Sequence, residues 1–156
     1  GQKLPLSGTL FLSLNDMTKP QLATIAHAFL GLGFRIVSTS GTAHILEVEG
    51  IPVERVLKIH EGRPHAGDMI ANGQIQLMVI TSSGDTLDQK DGRKLRRMAL
   101  AYKIPIITTV AGALASAEAI RSLKSSTLKM IALQDFFDVG KETGSNKNLQ
   151  SASSSL

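Results

Sequence analysis

The chain has 156 residues, 42% of them hydrophobic, and a formal net charge of +4. This length suits one domain with a buried core. The absence of cysteine excludes a disulfide framework, a thiolate nucleophile and a cysteine metal site, and no apolar run approaches the ~18–20 residues that span a bilayer. Because 4% aromatic residues offer few platforms for nucleic-acid bases, we expect a small phosphorylated ligand, with neither nucleic acid nor a membrane as partner.

Apolar runs alternate along the chain with segments of helical period, a pattern typical of βαβ units. The predicted strands are 10–12, 34–37, 53–57, 77–80 and 104–107. Between the first two strands, one helical stripe is formed by Leu22, Ile25, Ala26, Phe29 and Leu30. A second stripe follows a predicted turn at 91–92 and contains Leu95, Met98, Ala99 and Tyr102. A helix of small residues is expected after Thr109.

The predicted strands are apolar throughout, as expected when helices cover both faces of a sheet. We therefore predict an α/β fold with a doubly wound (Rossmann-like) parallel sheet of about five strands, and the run at 130–133 predicts a further edge strand. The domain should cover 9–139 after a linker at 1–8, and the polar stretch 140–156 should form a disordered tail. The first residue is Gly rather than Met, which favours a piece of a longer protein.

Hydroxyl and glycine residues follow four of the predicted strands, at Ser13, 39–42, 81–84 and 108–109. Carboxyl ends of parallel strands meet at one edge, where such folds bind phosphate groups. In the strongest motif, Thr39-Ser40-Gly41-Thr42, we expect Gly41 to turn the backbone into a helix beginning near Ala43, so that amides and hydroxyls converge on an anion. The alternative is that Thr42 merely caps a helix.

Two lysines are expected at the same edge. Lys19 opens the first helix, six residues after Ser13, and Lys58 lies at the end of the third strand. Either lysine alone would usually be a solvated surface residue. Two of them at carboxyl strand ends favour a phosphate site.

The least generic stretch is 58–65, Lys-Ile-His-Glu-Gly-Arg-Pro-His. Its histidines, His60 and His65, match no standard metal-ligand spacing, so we predict no metal site. No G-x-S-x-G sequence supports a serine nucleophile. The helix that follows 91–92 has a basic outer face formed by Arg93, Lys94, Arg96 and Arg97. This face is either solvated or a docking surface for another domain or subunit.

Together these residues resemble a known family, the C-terminal allosteric domain of carbamoyl-phosphate synthase large chains, within the methylglyoxal-synthase-like superfamily. The resemblance covers about 8–137 and rests on Ser13 with Lys19, 39–42, 56–65, 81–84, Arg96-Arg97 and Thr108-Thr109. The His-Glu-Gly-Arg-Pro-His element is specific to this branch. The sequence at 5–9 and 107–113 looks most like that of the plant, plastid-targeted members of this family.

The resemblance implies a regulatory nucleotide pocket, with uridine monophosphate (UMP) as inhibitor, inosine monophosphate (IMP) as competing ligand and ornithine as activator. The effector phosphate site falls on Lys19, Thr39, Thr42 and Lys58. The surrounding pocket comprises Ser13, Ser40, Gly41, Thr81 and Ser82, with Thr108 on the ornithine side. Bacterial members have an asparagine at Ile80 and a tyrosine and aspartate at 106–107, so base preference and ornithine contact stay open here.

The resemblance also implies that this chain is not itself an enzyme but belongs to an ATP-dependent, glutamine-hydrolysing ligase. ATP, Mg and K are then expected only in the parent enzyme, with no cofactor in this domain. The implied partners are the synthetase domains of the same large chain and the glutaminase small subunit, and the isolated domain could form an oligomer. The implied location is the chloroplast stroma, or the cytoplasm if the source is not a plant.

The alternative function is a methylglyoxal-synthase-type lyase acting on dihydroxyacetone phosphate, which shares the fold. That reaction needs a carboxylate as general base in the loop after the third strand. When the chain is aligned on Gly67 and Ile70, this position is Arg63, and Asp88 stands near the place of the synthase histidine. A guanidinium cannot accept a proton, so we expect no catalysis by this chain.

Overall fold

The computed structural model describes residues 3–15, 18–81 and 86–154. The sheet has five parallel strands in the order β3-β2-β1-β4-β5. The strands are β1 (Thr9–Ser13), β2 (Arg35–Ser38), β3 (Glu54–Arg55), β4 (Leu77–Ile80) and β5 (Ile106–Ile107). Strand order reverses between β1 and β4, so successive connections wind outward in both directions. The predicted doubly wound α/β fold is therefore confirmed.

Helices cover both faces of the sheet. They are α1 (Leu22–Leu30), α2 (Ser40–Val48), α3 (Ala66–Ala71), α4 (Thr86–Ala101) and α5 (Val110–Ser154), with 3-10 turns at Lys19–Gln21 and Ile59–Glu61. Side chains alternate along β1, so Leu10 and Leu12 join one buried cluster and Phe11 joins the other. The first cluster packs α1, α2 and the start of α5 on the sheet, and the second packs α3 and α4.

The predicted apolar stripe of α1 is confirmed by its burial. Leu22, Ile25, Ala26 and Phe29 are all fully buried. The Phe29 ring meets that of Phe34 edge to face, with centroids 5.5 Å apart. Between these two rings the chain turns through Gly33 at φ 89°, a conformation that residues with a side chain rarely adopt.

Several local predictions differ from the structure. The third strand, predicted at 53–57, is only Glu54–Arg55, because Leu57 leaves β2 and bridges to His65. The predicted turn at 91–92 lies inside α4, where burial of the helix on the sheet outweighs the ~1 kcal/mol cost of a helical glycine. The edge strand predicted at 130–133 is part of α5 instead, since Leu, Met and Ala there are strong helix formers.

The chain divides into two compact units, 1–120 and 121–156. The first unit contains the sheet. In the second, the apolar side chains that the structure describes are exposed: Leu123, Leu128, Met130, Ile131, Leu133, Phe136 and Phe137. The α5 assignment reaches Ser154, while the predicted boundaries at 8 and 139 stay predictions. Among the described residues no helix is long and apolar enough to cross a membrane.

Two exposed ion pairs hold the edge strand β3. Arg55 donates two hydrogen bonds to the Glu47 carboxylate on α2, at 2.8 and 2.6 Å, and Arg35 on β2 donates to Glu54 at 2.6 Å. The bond from Arg55 lowers the pKa of Glu47, and the same bond raises the pKa of Arg55. The Arg35–Glu54 pair thus links β3 to β2, and the Arg55–Glu47 pair links β3 to α2.

Candidate functional site

The carboxyl edge of the sheet gathers polar residues from its three central strands. Ser13 ends β1, Thr39 directly follows β2, and Thr81 directly follows β4. The Thr81 amide donates to the Ser13 carbonyl at 3.1 Å, which extends the β1–β4 pairing by one residue. This edge lies where the strand order reverses, the usual position of a ligand crevice in open α/β sheets.

The junction of β2 and α2 differs in detail from the prediction. The helix begins at Ser40 rather than near Ala43, and Thr39 is its N-cap residue, with φ −73° and ψ 164°. Gly41 therefore lies within the first helical turn and does not serve as the predicted turn. A Cβ built at Gly41 meets nothing within 4 Å, so the side-chain position of Gly41 faces open space beside the first turn of the helix. Those amides have no acceptor within the helix, a situation that favours anion binding.

Three hydroxyl side chains are buried at this junction. Ser38 is 0% exposed, Thr42 3% and Thr39 6%. Thr39 makes no side-chain cap bond to the helix, and the Ser38 hydroxyl has no hydrogen-bond partner among the described residues. Buried hydroxyls are normally paired, so this cluster leaves hydrogen-bonding capacity unused beside the open first turn of α2. Sequence reasoning missed Ser38, although its polar side chain directly follows the apolar residues Ile36 and Val37 at the end of the strand.

The two predicted lysines follow the strands on either side of β2. Lys19 opens the 3-10 turn after β1, where its amide donates to the Asn15 carbonyl at 3.0 Å. Lys58 follows β3 and caps the turn Ile59–Glu61, with its amide donating to Glu61 Oε1 at 2.7 Å. Both side chains are half-buried. The topology thus brings both lysines to the sheet edge that carries Thr39 and Thr42.

Thr81 is part of a polar network that sequence reasoning did not foresee. Its Oγ1 accepts from the Asn15 amide at 2.7 Å and lies 3.0 Å from Thr18 Oγ1. Thr18 Oγ1 donates its proton to Asn15 Oδ1 at 2.7 Å, so Thr81 is the donor in the bond between the two hydroxyls. Thr81 therefore ties β4 to the segment that precedes Lys19. The Asn15-x-x-Thr18 spacing just before a helix was the available signal.

We expect Thr81→Val to destabilise the protein by ~1–3 kcal/mol, because the Asn15 amide then lacks its acceptor. Urea unfolding would measure this loss. Thr24→Val, at an exposed position on α1, is the matched control and should be close to neutral. Equal stability of the two variants would contradict the assigned role of Thr81.

Of the remaining predicted pocket residues, two lie at the start of α2 and one follows β5. Ser40 and Gly41 are exposed at the start of α2. Ser82 lies outside the described residues. Thr108 is exposed after the edge strand β5, separated from β2 by β1 and β4, and its proposed ornithine contact stays a prediction.

Both histidines of the 58–65 stretch have structural partners. His65 caps α3: its amide donates to Asp68 Oδ2 at 2.9 Å, and its Nδ1 accepts from the Asp68 amide at 3.3 Å. His60 Nδ1 lies 2.5 Å from Asp91 Oδ2 on α4. In the part of the chain that the structure describes, no group of three or more His, Asp or Glu is arranged to hold a metal ion.

Comparison with known families bears directly on this site. Residues 21–108, more than half of the chain, match the MGS-like domain. The chain belongs to the MGS-like domain family. The match begins just before α1 and ends just after β5, so it includes Thr39, Thr42 and Lys58.

This MGS-like chain matches one segment of relatives that are much longer. It is 79% identical over 139 residues to the arginine-specific, chloroplastic carbamoyl phosphate synthase large chain of Arabidopsis thaliana, covering 89% of this chain and 12% of the relative. It is 64% identical over 154 residues to the protein of the same name from Oryza sativa subsp. japonica, covering 99% of this chain and 13% of the relative. The chain thus spans about an eighth of the length of these relatives.

A solved methylglyoxal synthase from Elizabethkingia anophelis has a similar fold. It superposes with a TM-score of 0.56 and 24% sequence identity, over 70% of this chain and 76% of that one. The similarity supports the MGS-like fold.

Proposed function

We propose that this chain is the regulatory nucleotide-binding domain of a plastid carbamoyl-phosphate synthase large chain. It would transmit UMP inhibition and IMP and ornithine activation to carbamoyl phosphate synthesis for the pyrimidine and arginine pathways. The observation that supports the proposal is that Lys19, Thr39, Thr42 and Lys58 all follow the carboxyl ends of the neighbouring strands β1, β2 and β3, and that the two threonines are buried at the start of α2.

Each part of this edge suits the phosphate of a nucleoside monophosphate. The first-turn amides of α2 would supply oriented donors, and the absence of a side chain at Gly41 leaves room beside them. The hydroxyls of Thr39 and Thr42 are held in place by burial, so little rotational freedom is lost on binding. Lys19 and Lys58 would add charge-assisted bonds from either side.

Ser13, Thr81 and Ser82 would surround the ribose and base. Ile80 is buried and apolar at the end of β4, and it offers no side-chain amide to recognise a base edge. Discrimination between UMP and IMP would therefore depend on the size of the pocket and on backbone groups. We expect both nucleotides to compete for the same site.

Regulation requires that the nucleotide bind two conformations of the parent enzyme with different affinity, typically by ~1–3 kcal/mol. The partners that would sense the difference are the synthetase domains of the same chain and the glutaminase small subunit. ATP, Mg and K would act in those other parts of the enzyme. The chloroplastic names of both plant relatives support a location in the plastid.

Isothermal titration of this chain with UMP and with IMP tests the proposal. Saturable binding at one site per chain, with each nucleotide displacing the other, is the expected result.

A parallel assay with dihydroxyacetone phosphate tests the alternative lyase. Methylglyoxal formation without nucleotide binding would overturn the regulatory function, although the Arg63 side chain, 82% exposed and cationic, is unsuited to act as a base.

A further inference from the structure

A second basic site lies between the 3-10 turn Ile59–Glu61 and helix α4. A cavity of about 440 Å³ opens here, lined by Ile59, His60, Lys90, Asp91, Arg93, Lys94 and Arg97. Pockets for small molecules usually have volumes of about 300–1,000 Å³. The cavity is distinct in its lining from the candidate nucleotide site, with which it shares no residue.

The four cations of this cavity form one stripe on α4. Lys90, Arg93, Lys94 and Arg97 have the spacing i, i+3, i+4 and i+7, which places them on one helix face. Like charges at this spacing repel each other and destabilise the helix. A bound anion on this face would offset that repulsion.

Asp91 contributes one negative charge to the cavity lining, and its carboxylate is bonded to the opposite wall. Asp91 Oδ2 lies 2.5 Å from His60 Nδ1 and accepts from the His60 amide at 3.3 Å. These contacts hold the turn Ile59–Glu61 against α4 and so maintain the shape of the cavity. Arg96, on a different face of α4, is half-buried and does not line it.

We propose that this cavity binds a small molecule carrying two or more linked phosphate groups. The stripe is about 10 Å long, from the 1.5 Å rise per helical residue, and it therefore suits several adjacent negative groups rather than one. The site is concave and of small-molecule volume, while a stable protein interface needs a much larger complementary surface. Guanidinium groups at Arg93 and Arg97 can each bind phosphate oxygens in pairs.

Occupancy of the cavity would also bear on the nucleotide site. His60 lies in the turn that Lys58 caps, so a ligand that contacts His60 and α4 stabilises the segment that begins at Lys58. The cavity and the proposed nucleotide site share no residue, so substitutions can abolish binding at one site and leave the residues of the other unchanged.

Titration with inorganic tripolyphosphate, in metal-free buffer at physiological ionic strength, tests this proposal on the full chain. We expect saturable binding at one site, at least tenfold tighter than inorganic monophosphate. The double variant Arg93→Gln/Arg97→Gln should lose at least tenfold in affinity. The control Lys3→Gln/Lys103→Gln removes the same charge at exposed positions outside the cavity, and it should leave the affinity within about twofold.

Further variants and probes identify where the anion binds. Lys19→Ala should retain tripolyphosphate binding. If Lys19→Ala loses binding while the Arg93→Gln/Arg97→Gln variant keeps it, the anion binds at the nucleotide site and the proposal is overturned. An equal loss of affinity in the Lys3→Gln/Lys103→Gln control would show that the loss follows from the lower net charge of the protein. That result would also overturn the proposal. A glutamate-rich peptide that binds this face more tightly than tripolyphosphate would assign the cavity to a protein partner instead. Circular dichroism of each variant verifies that the fold is retained.

Discussion

Lys58→Ala is expected to weaken the binding of UMP and IMP about tenfold or more. The substitution removes a charge-assisted contact to phosphate, worth ~1.5–3 kcal/mol, and each 1.4 kcal/mol corresponds to a factor of about ten in Kd. The hydrogen bond from the Lys58 amide to Glu61 Oε1 should survive, because the substitution leaves the backbone amide in place. Loss of affinity would therefore report on the ammonium group.

Titration of the variant with each nucleotide measures this effect. Lys103→Ala is the control, because it removes an exposed cation that follows α4. It should bind each nucleotide with the affinity of the unsubstituted chain. Raising the salt concentration should reduce the difference between Lys58→Ala and the parent, since exposed charge interactions are screened. Unchanged affinity in Lys58→Ala would remove Lys58 from the phosphate site.

Phe11→Ala is expected to have the largest effect on stability, a loss of ~3–5 kcal/mol. Phe11 is 0% exposed in the central strand β1, where its side chain packs between the sheet and the helices α3 and α4. Truncation removes the transfer free energy of the ring and leaves a cavity that this close-packed layer fills only in part. Because a domain is typically stable by ~5–15 kcal/mol, much of its stability would be lost.

Urea unfolding of Phe11→Ala, followed by far-ultraviolet circular dichroism, gives the change in free energy of unfolding. Phe136→Ala is the matched control, since that ring is 73% exposed, and the unfolding midpoint should not move. A loss below ~1 kcal/mol in Phe11→Ala would contradict the packing described for the second cluster.

Much of the fold and of the candidate site could be predicted from short-range patterns. The 3.6-residue period of Leu22, Ile25 and Phe29 is sufficient to locate α1, because burial of one helix face is a local property of sequence. Continuously apolar strands between helices predict a parallel sheet covered on both faces. Once that topology is accepted, residues that follow the strands, such as Thr39 and Lys58, must meet at one edge.

Other features depend on contacts between distant parts of the chain, which no local pattern encodes. Thr81 bonds to the Asn15 amide across 66 residues, and His60 meets Asp91 across 31 residues. Likewise, the length of β3 is set by pairing with β2, and α2 begins at Ser40 because Thr39 leaves the sheet there.

The sequence by itself thus determined the doubly wound fold and the sheet edge at which the proposed phosphate-binding residues lie, because the helical period and the continuously apolar strands both reflect local burial. Only the tertiary structure decided which hydroxyls are buried together at the start of α2 and which cations line the cavity on α4. Packing of one element against another places those side chains, and its energy arises from neighbours that are far apart in the chain.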